Sequence, residues 1–200
     1  MLMTPPIELA RDIATSAHRG QVDKINAPYI EHPAMVAFLV QLLPDFAAAD
    51  ESVQEAAVCA AWLHDTVEDT EVTADSLTAV GFAPNVVTAV VALTRTPQVE
   101  PDEYYARIRS DAVALLVKTA DLASNLMPER VARLDSDSRV RFEERYSHAL
   151  KELGVDRSVI AKLHELAAAR QPGPATPVRD NGATLDVLLT SRLSGVNRFR

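Results

Sequence analysis

Between Ala61 and Thr70 the chain reads Ala-Trp-Leu-His-Asp-Thr-Val-Glu-Asp-Thr, a small apolar run that ends in four groups able to bind a metal ion or move a proton. In a helix, His64 and Glu68 stand at i,i+4, and so do Asp65 and Asp69, so ligands and acids share a narrow face. Taken with His32 and Asp121, the pair His64 and Asp65 makes a set of two imidazoles and two carboxylates, presented from three expected helices or helix ends. Mixed nitrogen and oxygen ligation suits Mn²⁺, Fe²⁺ or a similar divalent ion better than a thiolate-type structural zinc, for which the chain has only Cys59. An octahedral ion with four protein ligands keeps room for water and a substrate oxygen, polarises a phosphoryl group and makes its water more acidic. Glu68 and Asp69 follow one turn later, placed to orient that water or to protonate a leaving oxygen. Asn125, one turn after Asp121, is placed to brace a ligand or to bind substrate.

The elements that must position these residues are all helices. Thr4-Pro5-Pro6 opens a first helix that runs to about His18, with Ile7, Ala10, Ile13, Ala14 and Ala17 on one stripe. Gly20 to Tyr29 is expected as a loop. Pro33 starts a second helix, closed by Pro44, and a third begins at Asp50. That third helix is apolar nearly all round, which places it in the middle of the domain. A short helix over Thr73 to Val80 stops at Gly81, and Pro84 opens another. Pro101 begins a polar segment, and Asp111 precedes a long run, Ala112 to Met127, whose polar positions Lys118, Asp121 and Asn125 line one face. Ser138 to Leu153 and Ser158 to Arg170 are two further amphipathic helices. No strand is signalled.

The organisation expected is therefore one all-α domain over residues 1–170, followed by a Pro/Gly-containing linker and a short C-terminal segment over 171–200. Thr184 to Leu193 is expected to dock as a short helix on the body or on another subunit, as in a homodimer. The formal net charge of −8 argues against a nucleic-acid or anionic-membrane binder, because phosphate affinity rests on clustered Lys and Arg. A small phosphorylated substrate needs only local positive charge or a metal. Cys59 reads as a small buried core residue, and no apolar segment of membrane-spanning length occurs. A soluble, cytoplasmic protein is expected.

Four segments carry a resemblance: Ala17-His18-Arg19-Gly20-Gln21, Pro28-Tyr29-Ile30-Glu31-His32-Pro33, Leu63-His64-Asp65-Thr66-Val67-Glu68-Asp69-Thr70, and Val117-Lys118-Thr119-Ala120-Asp121 to Asn125. In order and spacing they resemble the successive motifs of the HD-domain hydrolases of the RelA/SpoT type, over about residues 7 to 155. The stand-alone small alarmone hydrolases are the most similar group, since no synthetase or regulatory region follows in this sequence. The resemblance implies an HD-domain helical bundle around a single buried metal site, with one Mn²⁺ held by His32, His64, Asp65 and Asp121. It implies Glu68 and Asp69 as the catalytic residues that activate water, and Asn125 near the ribose or phosphate. The implied reaction removes the 3′-pyrophosphate of ppGpp or pppGpp, giving GDP or GTP and pyrophosphate. His18, although inside a motif, is structural.

The chain departs from that family where substrate is chosen. After Gln21 the family usually carries a basic pair whose arginine packs on the guanine base, and here Val22-Asp23-Lys24 keeps only the lysine. Leu122 follows the last metal-binding aspartate where Arg or Lys is common, and Leu126-Met127-Pro128 replaces a basic, threonine-containing segment. Lys24, Arg95 and Lys118 are the candidate phosphate partners, and Tyr146 is a candidate for stacking on a base. Two alternatives follow from the departures: hydrolysis of another nucleotide or a phosphorylated cofactor such as NADPH, or a catalytically idle metal- and nucleotide-binding sensor that reports through its C-terminal tail.

Overall fold

The computed structural model describes residues 5–23 and 26–170; Lys24 and the expected linker and C-terminal segment lie outside the described residues. Twelve helices follow in these residues. They are α1 (Pro6–Ala17), α2 (Glu31–Val40), α3 (Pro44–Ala48), α4 (Glu51–Leu63), α5 (Thr66–Asp69), α6 (Ala74–Ala79), α7 (Pro84–Leu93), α8 (Pro101–Arg109), α9 (Ala112–Asn125), α10 (Pro128–Val131), α11 (Ser136–Leu153) and α12 (Arg157–Arg170). The all-α expectation holds: the described residues contain no strand, only one isolated antiparallel bridge between Val22 and Pro28. No helix among them is long and apolar enough to cross a membrane.

Helix α4 is the middle of the molecule, as its apolar run from Ala56 to Leu63 requires. It packs against α1, α2, α7 and α9, and it buries Ala56, Ala57, Val58, Cys59, Ala60, Ala61 and Leu63. Alanines on several faces let four neighbours approach closely, which one wide apolar stripe on a surface helix does not achieve. Helix α2 also packs on α9, so α2, α4 and α9 form the inner group that carries the candidate ligands. Around it the core is filled by Ile13, Leu39, Leu77, Ile108, Leu122 and Leu163, all fully buried.

Local signals set the boundaries. The Asp50, Asp111 and Asp135 side chains accept the backbone N–H three residues on, from Val53, Ala114 and Ser138, and so cap α4, α9 and α11. Thr73 and Ser76 form a reciprocal capping box at α6. Gly154 ends α11 in the left-handed conformation, at φ 69°, where a β-carbon is unfavourable.

Three differences from the sequence expectations have physical causes. The polar segment after Pro101 is helix α8: its outward residues are charged, but Tyr104, Tyr105 and Ile108 are buried against the body, so packing outweighs polarity. The short helices α3 and α10 each begin at a proline, which starts a helical turn as readily as it ends the preceding one. The continuous helix through His64 to Asp69 is replaced by α4, a turn at His64 and Asp65, and α5. The break is made by side chains that take over helix carbonyls: Thr66 donates its hydroxyl to Leu63 O at 2.7 Å, and His64 Nδ1 lies 2.8 Å from Ala61 O.

Candidate metal centre and catalytic cavity

The turn aims the two ligands that a straight helix would separate around its circumference. Asp65 sits at φ −102°, ψ −5°, between the helical and extended regions, and its carboxylate comes back beside the imidazole of His64. His64 is held by the Ala61 carbonyl, which fixes Nδ1 as the protonated nitrogen and leaves Nε2 as a lone pair. His32, in the first turn of α2, is held the same way: its Nδ1 meets Ser124 Oγ at 3.0 Å, leaving Nε2 directed inward. Asp121 comes from the middle of α9, one turn before Asn125 and one turn after Lys118.

These four side chains converge. His64 Nε2 lies 3.0 Å from Asp65 Oδ2 and 3.9 Å from Asp121 Oδ1; His32 Nε2 lies 3.2 Å from Asp121 Oδ1 and 3.7 Å from Asp65 Oδ2. His32, His64 and Asp65 present ligand atoms all within 4.8 Å of one another. Two imidazole lone pairs pointed at two carboxylate oxygens are four acceptors in one place, and they coexist only around a proton or a cation. His64 Nε2 is buried and faces the carboxylate oxygens of Asp65 and Asp121, the arrangement expected of a nitrogen that shares a metal with them. The donor set therefore fits a divalent ion with mixed nitrogen and oxygen ligation.

In the protein without metal, the protons record the same tension. Burial alone lowers the pKa of His64, but the charges of Asp65 and Asp121 outweigh it and raise it to about 9. Asp65 and Asp121 are held below the ordinary carboxylate range in spite of burial, Asp65 by His64 and Asp121 by Lys118 and the two histidines.

Around the ligands is a layer of orienting groups. Lys118 Nζ donates to Asp121 Oδ2 at 2.8 Å, and Asn125 Nδ2 donates to Asp121 Oδ1 at 2.6 Å. Lys118 is thus bound to a ligand, and its cation also lies 5.7 Å from the Tyr104 ring centre. Tyr29 donates its hydroxyl to Asp65 Oδ2 at 2.6 Å and lies 3.3 Å from Asp69 Oδ2, which links a metal ligand to a candidate catalytic acid. Its ring rests on His18, with centroids 4.8 Å apart. His18 in turn is tied to Gln21, whose amide donates to the Asp69 carbonyl. The structural role expected for His18 is visible here as support for Tyr29. Tyr29, Ser124 and Gln21 had no assigned role in the sequence; Tyr29 stands three residues before His32, and only the tertiary fold brings it onto Asp65.

Glu68 and Asp69 lie on α5 at the open side of the same cavity, which has a volume of about 330 Å³. Glu68 Oε2 accepts the backbone N–H of Arg95 at 2.6 Å. Although the side chain stays open to solvent, loss of water on the cavity side raises its pKa above the usual glutamate range. Arg95, Lys118, Asn125 and Tyr146 all line this cavity, so the sequence-selected substrate residues other than Lys24 share one chamber. Arg95 lies over the Tyr104 ring at 4.5 Å, and Tyr146 packs on Phe142 at 4.2 Å, with burial pushing its phenol up to about 12. Arg130 and Arg145 complete the cationic part of the wall.

Comparison with known proteins agrees with this geometry. The HD-domain family model matches residues 10–137, a span that contains all four candidate ligands. A guanosine-3′,5′-bis(diphosphate) 3′-pyrophosphohydrolase of Vibrio cholerae is 29% identical over 181 residues, covering 82% of this chain and 24% of that protein. The Haemophilus influenzae protein of the same name is 30% identical over 157 residues, covering 72% of this chain and 22% of its own. A GTP pyrophosphokinase of Streptomyces coelicolor is 29% identical over 174 residues, covering 82% of this chain and 19% of that protein. The chain thus spans about a quarter or less of the length of these relatives. A solved structure of a metazoan ortholog of SpoT, described as hydrolyzing ppGpp and acting in starvation responses, superposes with a TM-score of 0.63 at 23% identity, over 86% of this chain and 98% of that one. That likeness shows a shared fold. With His32, His64, Asp65 and Asp121 drawn together on an all-α scaffold, and the family match extending across them, this chain belongs to the HD-domain family.

Proposed function

We propose that the protein is a Mn²⁺-dependent hydrolase that removes the 3′-pyrophosphate of ppGpp or pppGpp, leaving GDP or GTP and pyrophosphate. The observation that carries this assignment is the convergence of His32, His64, Asp65 and Asp121 beside Glu68 and Asp69 in one cavity whose wall also holds Arg95, Lys118, Arg130 and Arg145. Relatives named for the same reaction support the choice of substrate.

His32, His64, Asp65 and Asp121 would hold the ion, which when bound would supply Lewis acidity to a phosphoryl oxygen and to water. Asn125 and Lys118 keep Asp121 in register, and Tyr29 does so for Asp65. Glu68, its pKa raised by loss of water and its carboxylate pinned by the Arg95 N–H, takes the proton of the attacking water. Asp69, fixed through Tyr29, orients that water or returns a proton to the leaving ribose oxygen. Arg95, which lines the cavity with its guanidinium over the Tyr104 ring, neutralises the departing pyrophosphate.

The test is pyrophosphate release from ppGpp by purified, Mn²⁺-loaded protein, with NADPH and other nucleotides in the same panel. Absence of pyrophosphate release while metal is demonstrably bound overturns the substrate. Turnover of NADPH in preference to ppGpp establishes the other phosphohydrolase instead.

A further inference from the structure

Beyond the ligands and acids, the cavity wall has a second part, built from the loop before α2 and from α10 and α11. Asp23 on the loop faces Arg130 on α10, with Oδ2 and the guanidinium 3.2 Å apart. The pair closes the cavity between two segments that share no helix.

Asp23 is fixed for this contact by its own loop. Its N–H donates to Ala27 O at 2.9 Å, its Oδ1 accepts the Ala27 N–H at 3.0 Å, and its carbonyl accepts the Asn26 N–H at 2.9 Å. Asn26 adopts φ 62°, a left-handed position that asparagine tolerates and that turns the chain tightly enough for all three bonds. The Asp23 side chain is only 7% exposed, against 30% for Arg130. The carboxylate is therefore the anchor, and the guanidinium is the member of the pair that a ligand reaches. Arg130 spends one side of its planar fork on Asp23 and keeps further N–H donors for the cavity.

What such a guanidinium recognises follows from its partner. A phosphate oxyanion placed against Arg130 would also face the poorly hydrated carboxylate of Asp23 and be repelled by it. A neutral acceptor edge carries no such penalty. Phe142 and Tyr146 line the same cavity as Arg130; their rings pack 4.2 Å apart and give its wall an aromatic part against which a planar group can rest. Tyr146 lines the cavity together with Asp121 and Arg130 and feels the charge of both.

Resting on the nucleotide hydrolase proposed above, we infer that Arg130, positioned by Asp23, is a specificity-determining residue that reads the O6/N7 edge of a guanine base stacked against Phe142 and Tyr146. Guanine offers two adjacent acceptors to the guanidinium fork. Adenine offers N7 beside an amino group, which sets a donor against a donor and leaves one side unpaired. Asp23 acts only through Arg130.

The test is calorimetric binding of GDP and of ADP to the Mn²⁺-loaded protein; neither nucleotide carries a 3′-pyrophosphate, so no turnover intervenes. The wild type is expected to prefer GDP by about tenfold or more. Arg130→Ala weakens GDP by about the same factor, leaves ADP within about twofold and removes the preference. Arg130→Lys keeps a charge but loses the fork, and is expected to lose the preference as well. Asp23→Asn keeps an acceptor for the Ala27 N–H while losing the ion pair; it weakens GDP, and combining it with Arg130→Ala adds nothing further. Equal binding of GDP and ADP by the wild type, including no binding of either, overturns the inference. So does an Arg130→Ala protein in which both nucleotides weaken by one factor, which is the signature of a phosphate contact. A protein that prefers GDP through Arg130 yet fails to hydrolyse ppGpp refutes the proposed reaction and not this assignment, whereas ppGpp hydrolysis without base preference does the reverse.

Discussion

His64 and Glu68 are four residues apart and, in the proposed reaction, do opposite things with protons, which makes them separable by mutation. His64 donates Nδ1–H to the Ala61 carbonyl and so turns Nε2 to the metal centre, where an ion would replace its proton; His64→Ala is therefore expected to abolish both metal binding and turnover. Glu68→Gln retains the Arg95 contact through an amide oxygen and leaves the ligands untouched; metal content by elemental analysis should stay at the wild-type level while kcat falls by about 10²-fold or more. A Glu68→Gln protein with wild-type kcat would assign the proton transfer elsewhere, with Asp69 the next group to substitute. Tyr29 works one layer further out. Tyr29→Phe removes the hydroxyl from both Asp65 and Asp69 but keeps the ring on His18, so metal affinity or kcat should drop by roughly 10- to 100-fold while the melting temperature barely moves. Equal metal affinity and kcat in Tyr29→Phe would mean that Asp65 and Asp69 are held adequately without it.

Helix α9 brings three site residues, Lys118, Asp121 and Asn125, to one face while burying nearly everything else it carries. Its start is set by Asp111, whose carboxylate takes the Ala114 N–H at 2.8 Å. Asp111→Ala should therefore cost about 1 kcal/mol in chemical denaturation, without changing metal stoichiometry, because the cap lies more than two turns from Asp121. A loss of bound metal in that variant at a temperature where it is fully folded would show that the register of α9, and not only its stability, depends on the cap. Helix α4 presents the opposite case. It contributes no ligand of its own before its C-terminus, yet its alanines let α2 and α9 come near enough for His32 Nε2 and Asp121 Oδ1 to stand 3.2 Å apart.

For the molecule as a whole, metal and proton compete for the same centre, and this links stability to pH. Without metal, His64 in the folded chain has its pKa raised to about 9 from the ordinary 6.5, so protonation favours the folded state. That contribution is complete below about pH 6.5 and is lost as pH rises through about 9. A bound divalent ion takes the place of the proton. Melting curves of the metal-free protein are thus expected to shift downward from pH 6.5 to 9, and the gain on adding Mn²⁺ should widen over the same interval. A Mn²⁺-induced shift that is constant with pH would mean that His64 does not exchange its proton for metal. The net charge of −8 adds a general repulsion that the acids of this site share, and a cation at the centre relieves it locally.

Residue type and spacing by themselves determined that the protein is helical, that α4 lies inside, and that His32, His64, Asp65, Asp121, Glu68, Asp69 and Asn125 are candidates for one centre. Those are legible because apolar periodicity and the cost of burying carboxylates are local properties. What only the tertiary structure decided is contact between segments far apart in the chain. Nothing local signals that Tyr29 reaches Asp65 across 36 residues, that Ser124 fixes His32 across 92, or that a turn rather than a continuous helix aims His64 at Asp65. Asp23 is the clearest instance. In the sequence it is an acid in a place where a base is expected, and in the fold it is the anchor that holds Arg130 against the cavity, because a side chain's role is set by the charge that packing brings beside it.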